Sequence, residues 1–156
     1  RRVFMKKIII LGVALLILVT GCASGEEKKL VCTRTADMNG LEMDFRYEVY
    51  YQGEDVNKVK TTEKVTSDSE STLKTLESQT KALYSNFDNI ENYNYKVTLN
   101  GNTLTSTTDI DYTKIDIDEL LKIDSSIEQL LNDSKKIALD KITQIYESAG
   151  AVCKEE

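Results

Sequence analysis

The sequence has no histidine, no tryptophan and no proline, and only three of its 156 residues are cysteine. Without histidine the chain lacks the commonest general base and a frequent metal ligand, which excludes His-based catalytic triads and classical zinc hydrolase sites. It also lacks a basic excess, since its formal net charge is −6. Phosphate recognition needs clustered lysine and arginine, so the charge argues against nucleic acid as a partner. The length is that of one ordinary domain, and we expect neither a cofactor nor a metal.

The first 21 residues differ from the rest in charge and hydrophobicity. They hold four basic residues and no acidic one, which leaves a net charge of −10 for the remaining body. Met5-Lys6-Lys7 is a short basic start, and an apolar run follows at residues 8–19. Because a bilayer span needs about 20 apolar residues, residues 1–21 are predicted to be a signal peptide rather than a permanent transmembrane helix.

Two explanations remain open for the pair Arg1-Arg2. The pair resembles the twin-arginine export motif, but Arg-Arg is also encoded by AGGAGG, the bacterial ribosome-binding sequence, at a normal spacing before Met5. We expect synthesis to begin at Met5. The codons of Arg1 and Arg2 test this expectation, because CGN codons would contradict it.

The apolar run ends in Leu18-Val19-Thr20-Gly21-Cys22, which resembles the lipobox of bacterial lipoproteins. In those proteins the cysteine thiol forms a thioether with diacylglycerol before cleavage, and the cysteine becomes the first mature residue. The resemblance implies that Cys22 is acylated and holds the protein on the extracytoplasmic side of the cell membrane, since several acyl chains give stable anchoring. The alternative is an ordinary secretory signal with an incidental cysteine.

The mature chain is predicted to be a tether at residues 22–29 followed by a single domain at residues 30–156. Strict alternation of apolar and polar residues from Leu41 to Tyr51 indicates a half-buried antiparallel strand. Asn39-Gly40 and Asn100-Gly101 are strong hairpin signals. The predicted elements are strands at 30–37, 41–52 and 56–65, a helix after a capping box at 67–70, strands at 93–99 and 104–112, a helix at 116–123, and a last helix ending at Gly150. This order predicts an α+β fold with about five antiparallel strands and the helices packed on one face.

The two hairpins also show a weak internal repeat. Tyr47-x-Val49-x-x-x-Gly53-x-x-Val56 aligns with Tyr95-x-Val97-x-x-x-Gly101-x-x-Leu104, and a helix follows each hairpin. A duplicated strand-strand-helix unit would explain the alignment, and so would turn chemistry shared by two unrelated hairpins.

Cys32 and Cys153 remain once Cys22 is assigned to lipid. An even pair of cysteines in an exported domain predicts a disulfide, because disulfides persist outside the cytoplasm. Two reduced thiols are the alternative. A redox-active pair is not indicated, since neither cysteine lies in a Cys-x-x-Cys unit.

Two features of the sequence are candidate binding sites. Five acidic residues are close in sequence: Asp109, Asp111, Asp116, Asp118 and Glu119. They do not match an EF-hand loop, which requires an acid, a glycine and a glutamate where this sequence has Thr113, Lys114 and Leu120, so no metal site is predicted. Tyr50 lies on the polar side of its strand and is either a binding anchor or an exposed aromatic residue without a role.

Several segments together resemble the YehR-like family, small bacterial lipoproteins built on a domain of unknown function. These segments are the lipobox at Cys22, residues 47–56 (YEVYYQGEDV), residues 112–116 (YTKID) and residues 146–150 (YESAG). The resemblance covers most of residues 30–153 and implies a small α+β domain at the cell envelope. Its motifs are structural, so it carries no catalytic residue to this chain.

Three classes of function therefore compete. We expect a monomeric, non-enzymatic binding module, anchored to the membrane through Cys22, that engages a small ligand or an envelope protein. A hydrolase using paired carboxylates is the rival, which a deep cleft with two convergent acids would favour. A passive surface lipoprotein without a ligand is the third.

Overall fold

A computed structural model describes residues 25–156. The predictions made for the signal peptide, the lipobox and Cys22 concern residues 1–24 and lie outside the described residues. Within residues 25–156 no helix is both long and apolar enough to span a bilayer.

The domain is α+β and consists of six strands, three helices and two short 3-10 turns. The strands are β1 (Lys28–Met38), β2 (Leu41–Gln52), β3 (Asp55–Thr66), β4 (Tyr93–Asn100), β5 (Thr103–Asp111) and β6 (Val152–Glu155). The helices are α1 (Glu70–Tyr84), α2 (Ile117–Ile123) and α3 (Leu139–Ser148), and the 3-10 turns are Ser85–Phe87 and Ser125–Leu130. All neighbouring strands are antiparallel, in the order β4-β5-β3-β2-β1-β6.

The predicted fold class is confirmed, with one strand more than the five expected. The sixth strand, β6, follows α3 and pairs with the first half of β1, where Cys153 faces Cys32. Its four residues show no alternation of apolar and polar residues, and three of them are exposed at the edge of the sheet. β1 also begins at Lys28, inside the predicted tether.

Local sequence explains the turns and helix starts. Asn39 and Gly40 both have positive φ, 55° and 76°, as a two-residue type I′ hairpin requires, and their twist matches that of the flanking strands. The helix α1 begins later than the capping box predicted: its N-cap is Ser69, whose hydroxyl accepts from the Thr72 amide, while Ser67 accepts from the Ser69 amide. Asp116 caps α2 as predicted.

The helices pack on one face of the sheet, and the core lies between them and that face. One buried cluster joins β2 and β3 to α3 and the segment before it, with Val49, Val59, Ile137 and Ile142 at its centre. A second joins Ile110 of β5 to Leu120 of α2. Along β5 every second residue is buried, which is the pattern of a strand with one covered face.

The strand registers relate the two repeated hairpins by an approximate twofold axis. Thr61 of β3 pairs with Thr108 of β5, and the next residues outward in this row are Tyr47 and Tyr95. Rotation about the centre of this row exchanges β2 with β4 and β3 with β5, and it places the repeated tyrosines in equivalent positions. Both repeats therefore contribute equivalent positions to the helix-covered face.

Candidate functional site

The structure joins the predicted pair Cys32 and Cys153 in a disulfide. Cys32 is fully buried, and the bridge links β1 to β6 across a directly opposed pair of residues. The crosslink therefore fixes the carboxyl-terminal strand to the strand that emerges from the tether.

The acidic residues singled out in the sequence hold structural contacts. The Asp109 carboxylate is 3.0 Å from the Lys58 ammonium, and Asp111 accepts from Thr113 and is 3.2 Å from the Lys114 ammonium. The Asp116 carboxylate accepts from the first amides of α2. Within residues 25–156 no three His, Cys, Asp or Glu side chains are grouped so as to hold a metal ion.

Tyr50 lies on the face of the sheet away from the helices. It is only partly exposed, and the Lys60 ammonium lies 5.8 Å from the centre of its ring. No other aromatic ring stacks on it among the described residues, so the structure gives no support for Tyr50 as the centre of a binding site.

A glutamate lies on the helix-covered face, where the neighbouring positions are uncharged or apolar. Glu63 of β3 pairs with Phe45 of β2 and Ser106 of β5, and all three side chains point to the side that carries the helices. The Ser106 hydroxyl donates to the Glu63 carboxylate at 3.3 Å. Burial raises the pKa of the Glu63 carboxyl, because an ionised group loses favourable hydration there.

Two stacked tyrosine pairs stand on either side of Glu63. Tyr47 stacks on Tyr146 of α3 with ring centres 4.1 Å apart, and Tyr84 of α1 stacks on Tyr95 of β4 at 5.2 Å. Burial, and after it the nearby Glu63 charge, together raise the pKa of the Tyr84 hydroxyl to about 12. Burial, and to a smaller extent the negative charge of Glu63, likewise raise the pKa of the Tyr47 hydroxyl. The tyrosine hydroxyls therefore stay protonated beside this carboxylate at neutral pH.

The sheet beyond Tyr47 continues past the end of the helix that covers it. The helix α3 ends at Ser148, one turn after Tyr146, while α1 lies over β4 and β5. The helix-side residues beyond this point form what we call the open patch: Leu41, Met43, Phe45, Glu63 and Val65. All five are partly exposed, and none belongs to either buried cluster. The Arg34 guanidinium lies 5.1 Å above the Phe45 ring at the edge of this patch.

A separate groove lies elsewhere, beside α3 at the end of the sheet where β2 turns into β3. It has a volume of about 660 Å³, and five carboxylates and one ammonium line it: Glu54, Asp133, Asp140, Glu147, Glu155 and Lys141. The Tyr51 hydroxyl donates to Glu155, and this hydrogen bond raises the pKa of Tyr51 to about 12.

Burial distinguishes the two locations. The five carboxylates of the groove are exposed and hydrated, which is what an acidic body of net charge −10 presents over much of its surface. Glu63 is partly buried, and the burial of a carboxylate without a cation opposes folding. The open patch is therefore the better candidate site, because partial burial of Glu63 lowers the stability of the fold.

Sequence reasoning missed Glu63, although a signal was present. Glu63 is in phase with Val59 and Val65 at a period of two, which places it on the same face as those residues. Only the strand pairing shows that this face lies beside the helices and that Phe45 and Ser106 are its neighbours.

Comparison with known proteins gives a family and a fold. The model of a family described as "Protein of unknown function (DUF1307)" matches residues 32–151. The NMR structure of the Escherichia coli YehR protein is similar over 84% of this chain and 93% of that chain, with a TM-score of 0.56 and 23% identity. An NMR structure of a protein from Streptococcus pneumoniae TIGR4 is similar over 99% and 100%, with a TM-score of 0.50 and 15% identity. No curated protein sequence matches the chain significantly.

These comparisons confirm the resemblance to the YehR-like family. Both structural matches are below 25% identity and show the fold alone. Because the family is one of unknown function, the chemistry of this chain must be argued from its own residues.

Proposed function

The chain belongs to the DUF1307 family of proteins of unknown function, and on that premise we propose that it is a lipid-anchored, non-enzymatic binding module of the bacterial cell envelope. Cys22 carries the lipid, the segment at residues 22–27 that precedes β1 holds the domain close to the membrane, and the open patch takes the ligand. The observation that carries the proposal is the exposure of apolar residues of this patch on the face that elsewhere forms the core.

An exposed apolar surface is the expected feature of a binding role. Met43, Phe45 and Val65 are in phase with core residues of their strands, yet they remain partly exposed because α3 ends before it reaches them. Each fully buried side chain of this type would contribute about 1.5–3 kcal/mol. A ligand that covers the patch recovers part of that free energy.

The disulfide supports the proposed location. A bridge between Cys32 and Cys153 persists in an oxidising compartment, which agrees with export of the domain. The tether joins the domain at the start of β1, beside the turn between β2 and β3. There the Asn57 side-chain amide donates a hydrogen bond to the Glu27 carboxylate. The open patch lies toward the opposite end of β2, so a ligand reaches it from the side away from the anchor.

The hydrolase alternative needs two convergent carboxylates. Glu63 has Phe45 and Ser106 as its cross-strand neighbours, and neither supplies a second acid. The acids of the 660 Å³ groove are exposed along an open surface rather than gathered in a deep cleft. The geometry therefore favours a binding module over carboxylate-based hydrolysis.

Two measurements in the native host test the proposal. The anchored protein should show the acyl addition on Cys22 by intact mass, and a mature mass without it would contradict the anchor. A photo-crosslinking amino acid at Met43 should give a discrete adduct of reproducible mass, whereas the same group at Thr62, on the opposite face of the sheet, should not. The absence of any adduct specific to Met43 would favour the passive surface role instead.

A further inference from the structure

The approximate twofold axis shows that the fold does not require an acid at position 63. The axis that exchanges Tyr47 and Tyr95 also exchanges Glu63 with Ile110, since Glu63 pairs with Phe45 as Ile110 pairs with Tyr93. Ile110 is buried and belongs to the core. The same structural position is therefore filled by an apolar side chain in one hairpin and by a carboxylate in the other.

Within residues 25–156 Glu63 also lacks a neutralising cation. Among residues 25–156 no lysine or arginine nitrogen lies within 4.0 Å of its carboxylate, although twelve other close pairs of opposite charge occur there. Its hydrogen-bond partner is the neutral Ser106 hydroxyl. A positively charged group on a ligand would stabilise a partly buried carboxylate that has no cation beside it.

The size of the open patch selects a small ligand. It spans β2 and β3 with β1 at its border, and strands are about 4.8 Å apart, so it is about 10 Å wide. The residues from Leu41 to Phe45 extend about 14 Å along β2. The product, roughly 140 Å², is far below the roughly 800 Å² that each partner buries in a stable protein complex.

The charges at the two ends of the patch fix the orientation of a cationic ligand. Arg34, Phe45 and Glu63 lie in one row across three strands, with the guanidinium over the Phe45 ring and the carboxylate on the other side. A cation is repelled from the Arg34 end and attracted to the Glu63 end. The apolar part of the ligand then lies over Phe45 and Met43.

We propose that Glu63 binds the ammonium group of a small organic amine whose apolar part covers Phe45 and Met43. This inference rests on the proposed binding function and adds the chemical class of the ligand. Binding is non-covalent: the ammonium donates to the carboxylate, which also accepts from the Ser106 hydroxyl, and the apolar part removes Phe45 and Met43 from water.

The methionines provide a direct readout in the mature lipidated protein. Of the three in the sequence, Met5 lies in the proposed signal peptide, so ¹³C labelling of the methyl groups gives two signals, Met38 and Met43, of which Met43 comes from the open patch. The probes are 2-phenylethylamine and the matched neutral 2-phenylethanol, added to the lipidated mature protein in nanodiscs. We expect saturable shifts of the Met43 signal and a dissociation constant about tenfold or more lower for the amine, as a charged hydrogen bond predicts.

Two charge-neutralising variants separate a specific site from a general effect of charge. Glu63→Gln should remove the preference for the amine. Glu48→Gln is the matched control, because Glu48 is also partly buried but lies on the opposite face and pairs with Lys29 and Arg46; it should keep the preference. Equal affinity for the two probes, or an unchanged preference in Glu63→Gln, would overturn the inference.

The outcomes for the inference and for the proposed function are distinguishable. If a crosslink specific to Met43 forms in the host while neither probe moves the Met43 signal, the amine inference fails and the binding function stands. If the crosslink is also absent, the binding function itself fails.

Discussion

Removal of the disulfide should destabilise the whole domain rather than only its carboxyl-terminal strand. The bridge joins residues 121 positions apart, and the chain-entropy model gives about 16 cal/mol/K for a loop of that length, or about 5 kcal/mol at 25 °C. Without the bridge, β6 still pairs with β1 from Leu30 to Thr33 in the folded state. Most of the lost stability therefore comes from the greater conformational entropy of the unfolded chain. Domains are commonly stable by only about 5–15 kcal/mol, so the loss is a large share of the total.

The assay is urea unfolding of the double variant Cys32→Ala/Cys153→Ala, followed by circular dichroism. We expect the free energy of unfolding to fall by about 2–5 kcal/mol, the lower part of this range allowing for residual structure in the unfolded chain. The urea dependence should steepen, because the unfolded chain without the crosslink exposes more surface. Val152→Ala is the control for truncation of a β6 side chain, and it should cost little because Val152 is 61% exposed.

A different result would refute this reasoning. If the free energy of unfolding of the double variant falls by less than about 1 kcal/mol and amide exchange rises only in β6, the bridge acts locally by holding β6 against β1. Cys32 is fully buried, so its replacement by alanine also removes a buried sulfur. Reduction of the wild-type bridge under native conditions separates the two effects, because it breaks the crosslink and keeps both sulfur atoms.

Two further predictions concern the site and a helix start. Burial raises the pKa of Glu63 in the folded state, so the wild type is favoured below the unfolded value of about 4.3 and loses that advantage as the pH rises through the folded value. Glu63→Gln should therefore unfold at higher urea than the wild type at pH 7.5, with the difference shrinking at pH 3.5; a gap independent of pH would contradict this. Asp116→Ala removes the N-cap of α2 and should cost about 1 kcal/mol by the same measurement. The control Asp118→Ala removes an exposed pair with Lys135 and a first-turn carboxylate but keeps the N-cap, and it should cost less than Asp116→Ala.

Most of the sheet could be predicted from the sequence because its signals are local. The alternation from Leu41 to Tyr51 specifies both the strand and its inward face, and Asn39-Gly40 specifies the turn that sets the register with β1. β6 could not be predicted as a paired strand, since its residues gain strand geometry from Lys28–Met38, more than a hundred positions earlier. The disulfide was the one indication that these two segments meet.

The candidate site was harder to predict because it depends on where a helix stops. Period two places Glu63 on the same face as Val59, but it does not show that α3 ends beside Tyr146 and leaves the strands beyond it uncovered. The strand registers place Glu63 opposite Ile110 about the twofold axis, whereas the spacing of the sequence repeat aligns Glu63 with Asp111. A fold that accepts isoleucine at one of two equivalent positions does not need glutamate at the other. We therefore propose that the carboxylate is explained by a ligand of the open patch rather than by what the sheet requires.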